Sequence, residues 1–129
     1  MSEIPSELRY TKEHEWIRID GDIVIVGITD YAQDALTDVV WVENDQGLEG
    51  TEVAEMESFC SVESVKSVSE IYSPISGTIL EFNMSLEDAP EQLNQSPYQD
   101  GWIAKIKPHN LDDVNNLLDA EAYSNVIGE

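Results

Sequence analysis

From His14 to Asp20 the run HEWIRID places Trp16 and Arg18 on one face and Ile17 and Ile19 on the other. A period of two is the pattern of a β-strand. Gly21-Asp22 then reads as a tight turn and DIVIVGI as a second strand, which together make a first hairpin. Thr29 or Asp30 can cap a short helix over YAQDAL, because their side-chain oxygens satisfy free N–H groups of a first helical turn. DVVWVE is a further strand, and NDQGLEG, dense in Asn, Asp and Gly, is a turn-rich loop.

Thr51 to Val65 reads as one or two strands, broken near Glu57-Ser58. After Lys66 come SVSEIYS, then Pro74, which argues against a hydrogen-bonded central strand at that point, then a Ser76-Gly77 turn and the strand TILEFN. Pro90 and Pro97 leave room only for a short helix before WIAKIK, a closing strand. From Asn110 to Val126 the spacing becomes helical through Leu111, Val114, Leu117, Leu118, Ala122 and Val126. The pattern predicts one small β-rich domain, a barrel or sandwich with peripheral helices. Its large aromatics Trp16, Trp41 and Trp102 are expected in the core, because indoles bury a large area. His14 is expected to hydrogen-bond within the first hairpin, and the C-terminal helical segment to pack over an open sheet edge.

Composition narrows the function classes. The 129 residues suit a single domain, 1–129, and three tryptophans with five tyrosines argue against an acidic disordered tail. A net charge of −21 repels nucleic acid and anionic membranes, and favours partners with basic docking surfaces. Such charge also favours a soluble monomer. No apolar run approaches a membrane span, and the start MSEIPSELRYT has neither a secretion-signal nor a transit-peptide layout. With a single cysteine, Cys60, this points to the cytoplasm. Two separated histidines, His14 and His109, make a zinc site improbable, and no phosphate-cradling glycine loop occurs. Cys60 lies in a strand-like run, where free cysteines serve as small buried hydrophobes, so a Cys60–His14 nucleophile pair is set aside.

One cation stands out. Between Ile19 and Ala104, Lys66 is the only basic residue among eighteen acids. It sits in VESVKSVSE, between two strand-like runs, at the expected tip of a hairpin. An exposed lysine that softens acid–acid repulsion is one reading. A Schiff-base lysine is another, but it needs a desolvated pocket that a tip does not offer. Covalent modification is the third, since small flanking serines let another protein approach the backbone.

The chain resembles the H protein of the glycine cleavage system, a family of lipoyl carriers, over nearly its whole length. The resemblance rests on YTKEHEW at Tyr10–Trp16, GITDYAQDAL at Gly27–Leu36 and VESVKSVSEIYSPISG at Val62–Gly77, in order, followed by LEDAPEQLNQSPYQDGWIAKIKP and LLDAEAY. It implies a flattened β-barrel or sandwich of two antiparallel sheets, the hybrid motif of lipoyl and biotinyl domains. Short peripheral helices and a C-terminal helical segment at about residues 110–126 complete that fold. By resemblance Lys66 carries lipoic acid in amide linkage, as N6-lipoyl-lysine. Glu63 and Gly77 match positions used for recognition by the lipoate ligase or lipoyl transferase. Glu15 and Glu70 match acids associated with docking of the aminomethylated arm.

The implied partners are glycine decarboxylase (P protein), the tetrahydrofolate-dependent aminomethyltransferase (T protein) and dihydrolipoamide dehydrogenase (L protein). The chain itself is then a non-catalytic shuttle. Departures from the family pattern are Glu70 where many members have Asp, Glu13 where some have Ser, Thr37 in place of a common Gly, and the loop VENDQGLEG without its usual Pro. The alternatives are a lipoyl relay serving other enzymes and an unmodified acidic adaptor. Biotin acceptors differ in setting their lysine between methionines, whereas Val65 and Ser67 flank Lys66.

Overall fold

The computed structural model describes residues 2–43 and 46–129. A two-residue strand β1 (Arg9–Tyr10) leads through a turn into β2 (Glu15–Asp20), and Gly21, at φ +66°, reverses the chain into β3 (Ile23–Ile28). Helix α1 (Asp30–Leu36) begins where the Thr29 side chain accepts from the Ala32 amide, so Thr29 rather than Asp30 is the cap. Strands β4 (Val39–Glu43), β5 (Glu52–Val53), β6 (Ser58–Ser64), β7 (Val68–Tyr72) and β8 (Gly77–Phe82) follow. The proline-rich stretch holds two single-turn helices rather than one, α2 (Ser85–Asp88) and α3 (Gln92–Gln95), ahead of β9 (Ala104–Pro108). In the turn-rich loop, Gln46–Leu48 forms a 3-10 turn, and Asn44 and Asp45 lie outside the described residues.

All pairings among the described strands are antiparallel. A six-stranded sheet runs β1-β2-β3-β9-β8-β5 and a three-stranded sheet runs β4-β6-β7. Among the described strands the sheets do not close on each other, so the fold is a flattened sandwich and not a closed barrel. Val24, Val26 and Ile28 of β3 face the small sheet, where Val42, Val62 and Ile71 meet them in the main core. Ile25 points the other way, into a second cluster with Trp16, Tyr10, Tyr98 and Tyr123. Burial on both faces explains why IVIVGI is a continuous apolar run with no alternation. At Gly27 a Cβ would stand 2.6 Å from the Trp16 ring, so the missing side chain is what lets the indole lie flat and donate to the Pro97 carbonyl at 3.0 Å.

Three expectations are corrected. Trp41 is 48% exposed, because a β-bulge between Val39 and Trp41 turns both Val40 and Trp41 outward from β4; Trp102 is only half-buried, and Trp16 alone of the three is fully enclosed. His14 bonds its Nδ1 to the Tyr123 hydroxyl at 2.9 Å, a partner 109 residues away rather than one within the hairpin. The C-terminal segment is not one helix. A 3-10 turn over Leu111–Asn116 gives way to an extended piece, and α4 spans Ala120–Ile127 behind its cap Asp119. The break exists because Leu118 pairs with Tyr10 through two backbone bonds, of 2.8 and 2.9 Å, which cover the outer edge of β1.

Candidate functional site

β6 and β7 form a hairpin whose tip is Ser64–Ser67, and Lys66 is exposed there. The Ser64 hydroxyl accepts from the amides of both Lys66 and Ser67 at 3.2 Å, and the Ser64 amide donates to the Ser67 carbonyl at 2.8 Å. The Val65 amide donates to the Asp38 carbonyl at 3.1 Å and ties the tip to the chain entering β4. The turn's own hydrogen bonds therefore hold the tip. Among the described residues the Lys66 ammonium has no ion-pair partner.

Beside the hairpin lies an open cleft of about 500 Å³. Ser69, Glu70 and Tyr72 of β7 form one wall, Tyr31, Ala35 and Leu36 of α1 the other, and Glu13 and His14 the rim. Ser67, next to Lys66, lines it too, so the lysine stands at the cleft's mouth. The walls combine apolar surface with carboxylates, which suits a flexible, mostly apolar chain that ends in a cation. His14 reaches the rim from a left-handed backbone, φ 72°, held by its amide on the Thr11 carbonyl and its carbonyl under the Thr29 amide. Its ring leans on Tyr31 at 4.9 Å, and burial lowers its pKa against the opposing pull of Glu13, which leaves it neutral near pH 7. The Tyr123 hydroxyl bridges His14 to Thr29 at 2.7 Å, which joins the cleft rim to the C-terminal helix.

The two acids expected to hold an arm are placed differently. Glu70 lines the cleft and accepts from the Ser58 hydroxyl at 2.8 Å. Glu15 is 1% exposed, behind the cleft wall. Its Oε1 accepts from the Thr11 hydroxyl at 2.5 Å and its Oε2 from the Tyr72 amide at 3.3 Å. Burial pushes its pKa up to about 7, against the lowering effect of those two bonds. Glu63 is exposed on β6, in register with Trp41 on one side and Val68 on the other.

Gly77 is not near the tip. It is buried at the start of β8, where a Cβ would meet the Lys107 carbonyl oxygen at 2.3 Å, so its requirement for glycine is one of packing. Cys60 is buried and its thiol is pushed up to about 12, chiefly by burial, which keeps it protonated and unreactive at neutral pH. Among the described residues no group of three His, Cys, Asp or Glu side chains is arranged to hold a metal, and no helix is long and apolar enough to cross a membrane. A cavity of about 490 Å³ between the N-terminal segment, Arg18 and Tyr98 shares no residue with the cleft.

Tyr31, Ala35, Leu36 and Tyr72 escaped the reading of single residues. For the first three the signal was present in GITDYAQDAL, whose helical half carries Tyr31, Ala35 and Leu36 at spacings that put them on neighbouring faces.

A rigid sandwich that presents one amine at a hairpin tip, at the mouth of an amphipathic cleft, defines a display scaffold. Comparison with known proteins makes the class particular. The family model for the glycine cleavage H-protein matches residues 8–129. The glycine cleavage system H protein of Geobacillus thermodenitrificans (strain NG80-2) is 55% identical over 125 residues, 97% of each chain. That of Staphylococcus carnosus (strain TM300) is 48% identical over 126 residues, 98% of each. A crystal structure of a glycine cleavage system H protein from Mycobacterium marinum matches with a TM-score of 0.87 at 39% identity, covering 98% of this chain and 100% of that one. The chain belongs to the glycine cleavage H-protein family.

Proposed function

We propose that the chain is the lipoyl carrier of a cytoplasmic glycine cleavage system, with lipoic acid in amide linkage to Lys66. The observation that carries this reading is Lys66 itself: an exposed amine on a hydrogen-bonded tip, beside a cleft that fits an apolar arm with a cationic end. When bound, the lipoyl group supplies a sulfur for the aminomethyl unit made by glycine decarboxylase and used by the tetrahydrofolate-dependent aminomethyltransferase, and a dithiol for dihydrolipoamide dehydrogenase.

The residues of this chain tether, orient and shield. Once acylated, Lys66 is a tether and takes no part in proton transfer; tethering keeps the cargo at high local concentration. Glu70 and Glu13 offer carboxylates to a cationic cargo at the cleft, and Tyr31 and Leu36 cover the apolar stem. Glu15 acts from behind, through the Tyr72 amide that positions the β7 wall. Glu63 meets the lipoate-attaching enzyme directly, whereas Gly77 serves that enzyme by letting β8 lie against β9 beneath the hairpin sheet.

The test is glycine–bicarbonate exchange by purified glycine decarboxylase. Lipoylated wild-type chain is expected to support exchange and Lys66→Arg to give none. Equal exchange with both would defeat the carrier reading.

A further inference from the structure

The bulge that turns Trp41 outward also creates a surface. Paired residues of an antiparallel sheet share a face, and on the outer face of the three-stranded sheet Trp41 pairs with Glu63, which pairs with Val68. That rung carries Trp41 at 48% exposure and Val68 at 62%, with Glu63 between them; Val40 and Val65, at 49% and 65%, lie beside it. Two along the strands, the next rung on this face is Glu43, Ser61 and Glu70, so acids border the apolar residues. An exposed aromatic anchor with apolar neighbours and a charged rim has the composition of a protein-binding hot spot.

We propose that Trp41 and Val68, which flank Glu63 on the same rung, complete the docking face for the enzyme that acylates Lys66, a face for an apolar recess with a basic rim. The proposal rests on Lys66 being the lipoyl acceptor. Geometry selects this occupant over the other enzymes. A bare lysine reaches out only on its four-carbon stem, so the acylating enzyme has to close on the tip itself. A specific interface of about 800 Å² per partner is a disc roughly 16 Å in radius. Trp41 lies one strand from β6 and one rung behind the Ser64–Ser67 pair, within about 10 Å of the tip by strand spacing. It therefore falls well inside that footprint. Enzymes that act on the far end of a loaded arm need not cover the tip. Trp41 is also on the opposite edge of the small sheet from β7 and the cleft, so it does not touch a seated arm.

In the acylation step the neutral Lys66 amine attacks the acyl carbon of lipoyl-adenylate, the new C–N bond forms as the C–O bond to AMP breaks, and the amine loses one proton.

The experiment measures initial rates of lipoylation by intact mass, with a purified ATP-dependent lipoate ligase, lipoate and ATP, across concentrations of the chain. Trp41→Ala is expected to raise KM for the chain tenfold or more while kcat changes less than twofold, with Trp41→Phe recovering most of the loss. Val68→Ser is expected to raise KM about threefold. An unchanged melting temperature for these surface variants, and normal service of dihydrolipoamide dehydrogenase by fully lipoylated Trp41→Ala, support the assignment to the attaching enzyme. Wild-type kinetics for Trp41→Ala would overturn the proposal and leave the carrier reading intact. So would unchanged lipoylation with a loss at the decarboxylase, or a wild-type dimer that Trp41→Ala dissolves, since each gives the patch a different occupant. A wild-type chain never acylated at Lys66 would overturn the carrier reading, and this proposal with it.

Discussion

Replacing Glu15 by Gln tests whether the wall behind the cleft contains a carboxyl that titrates near neutrality. In the folded chain burial raises the pKa of Glu15 from 4.5 to about 7. At about 1.4 kcal/mol per unit, the separation corresponds to roughly 3 kcal/mol. Below pH 4.5 both folded and unfolded chains hold the proton and Glu15 costs nothing. Between 4.5 and 7 the unfolded chain releases it first, so the native state binds more protons and stability falls as pH rises. Above about 7 the native carboxyl ionises too and the full cost stays. The carboxamide of Glu15→Gln cannot titrate. It loses one acceptor, because its amide nitrogen faces a donor from Thr11 or Tyr72, at about 1 kcal/mol, the same at every pH.

The assay is the difference in Tm between wild type and Glu15→Gln, measured at pH 5 and at pH 8, which cancels the many other acids. Unfolding entropy scales with chain length at about 2.1 cal/mol/K per residue, so 3 kcal/mol is about 10 °C here. The wild type is therefore expected to fall by roughly 10 °C relative to the variant between the two pH values. A difference in Tm constant within about 2 °C would show that Glu15 is ionised in the fold across this range, and would refute the reasoning from burial.

Three further outcomes follow from single positions. Thr37 ends α1 at φ 65°, ψ −145°, a region that suits glycine, so Thr37→Gly is expected to raise stability by about 1–2 kcal/mol in urea unfolding despite losing the hydroxyl bond to the Leu36 carbonyl. Gly77→Ala drives a Cβ to 2.3 Å from a backbone oxygen and 2.9 Å from Ile106 Cγ2, and is expected to cost about 2 kcal/mol or more; its lipoylation should recover at lower temperature, where the sheet is intact, as mass spectrometry can show. Tyr123→Phe removes the hydroxyl that joins His14 to Thr29 and is expected to cost about 1–2 kcal/mol, with the His14 ring signals broadened in NMR spectra.

Much of this architecture was legible because local chemistry and global fold agree. Gly21 and Thr29 sit where turn and cap chemistry require them, and VESVKSVSE carries apolar residues and serines in the pattern of a short hairpin. What escaped depends on contacts distant in sequence or on a register shift. Alternation alone sends Trp41 to the inward face of Val39, two residues before it; one bulge residue reverses it, and no residue type in DVVWVE marks the bulge. The helical spacing of Asn110–Val126 is real, yet two backbone bonds to Tyr10 outweigh it at Leu118. His14 found its partner on α4, and Glu15, read as an arm-facing acid, lies where Thr11 and Tyr72 satisfy it. Of the two acids expected to dock an arm, Glu15 and Glu70, Glu70 alone lines the cleft, a distinction that belongs to packing and is invisible to a motif.

Whether Lys66 is the acceptor is decided by peptide mapping by mass spectrometry of chain expressed in lipoate-sufficient cells, beside a Lys66→Ala control. A lipoyl increment is expected on the peptide containing Lys66 and none anywhere in the control. An unmodified Lys66, in cells whose other lipoyl proteins are filled, would contradict the assignment.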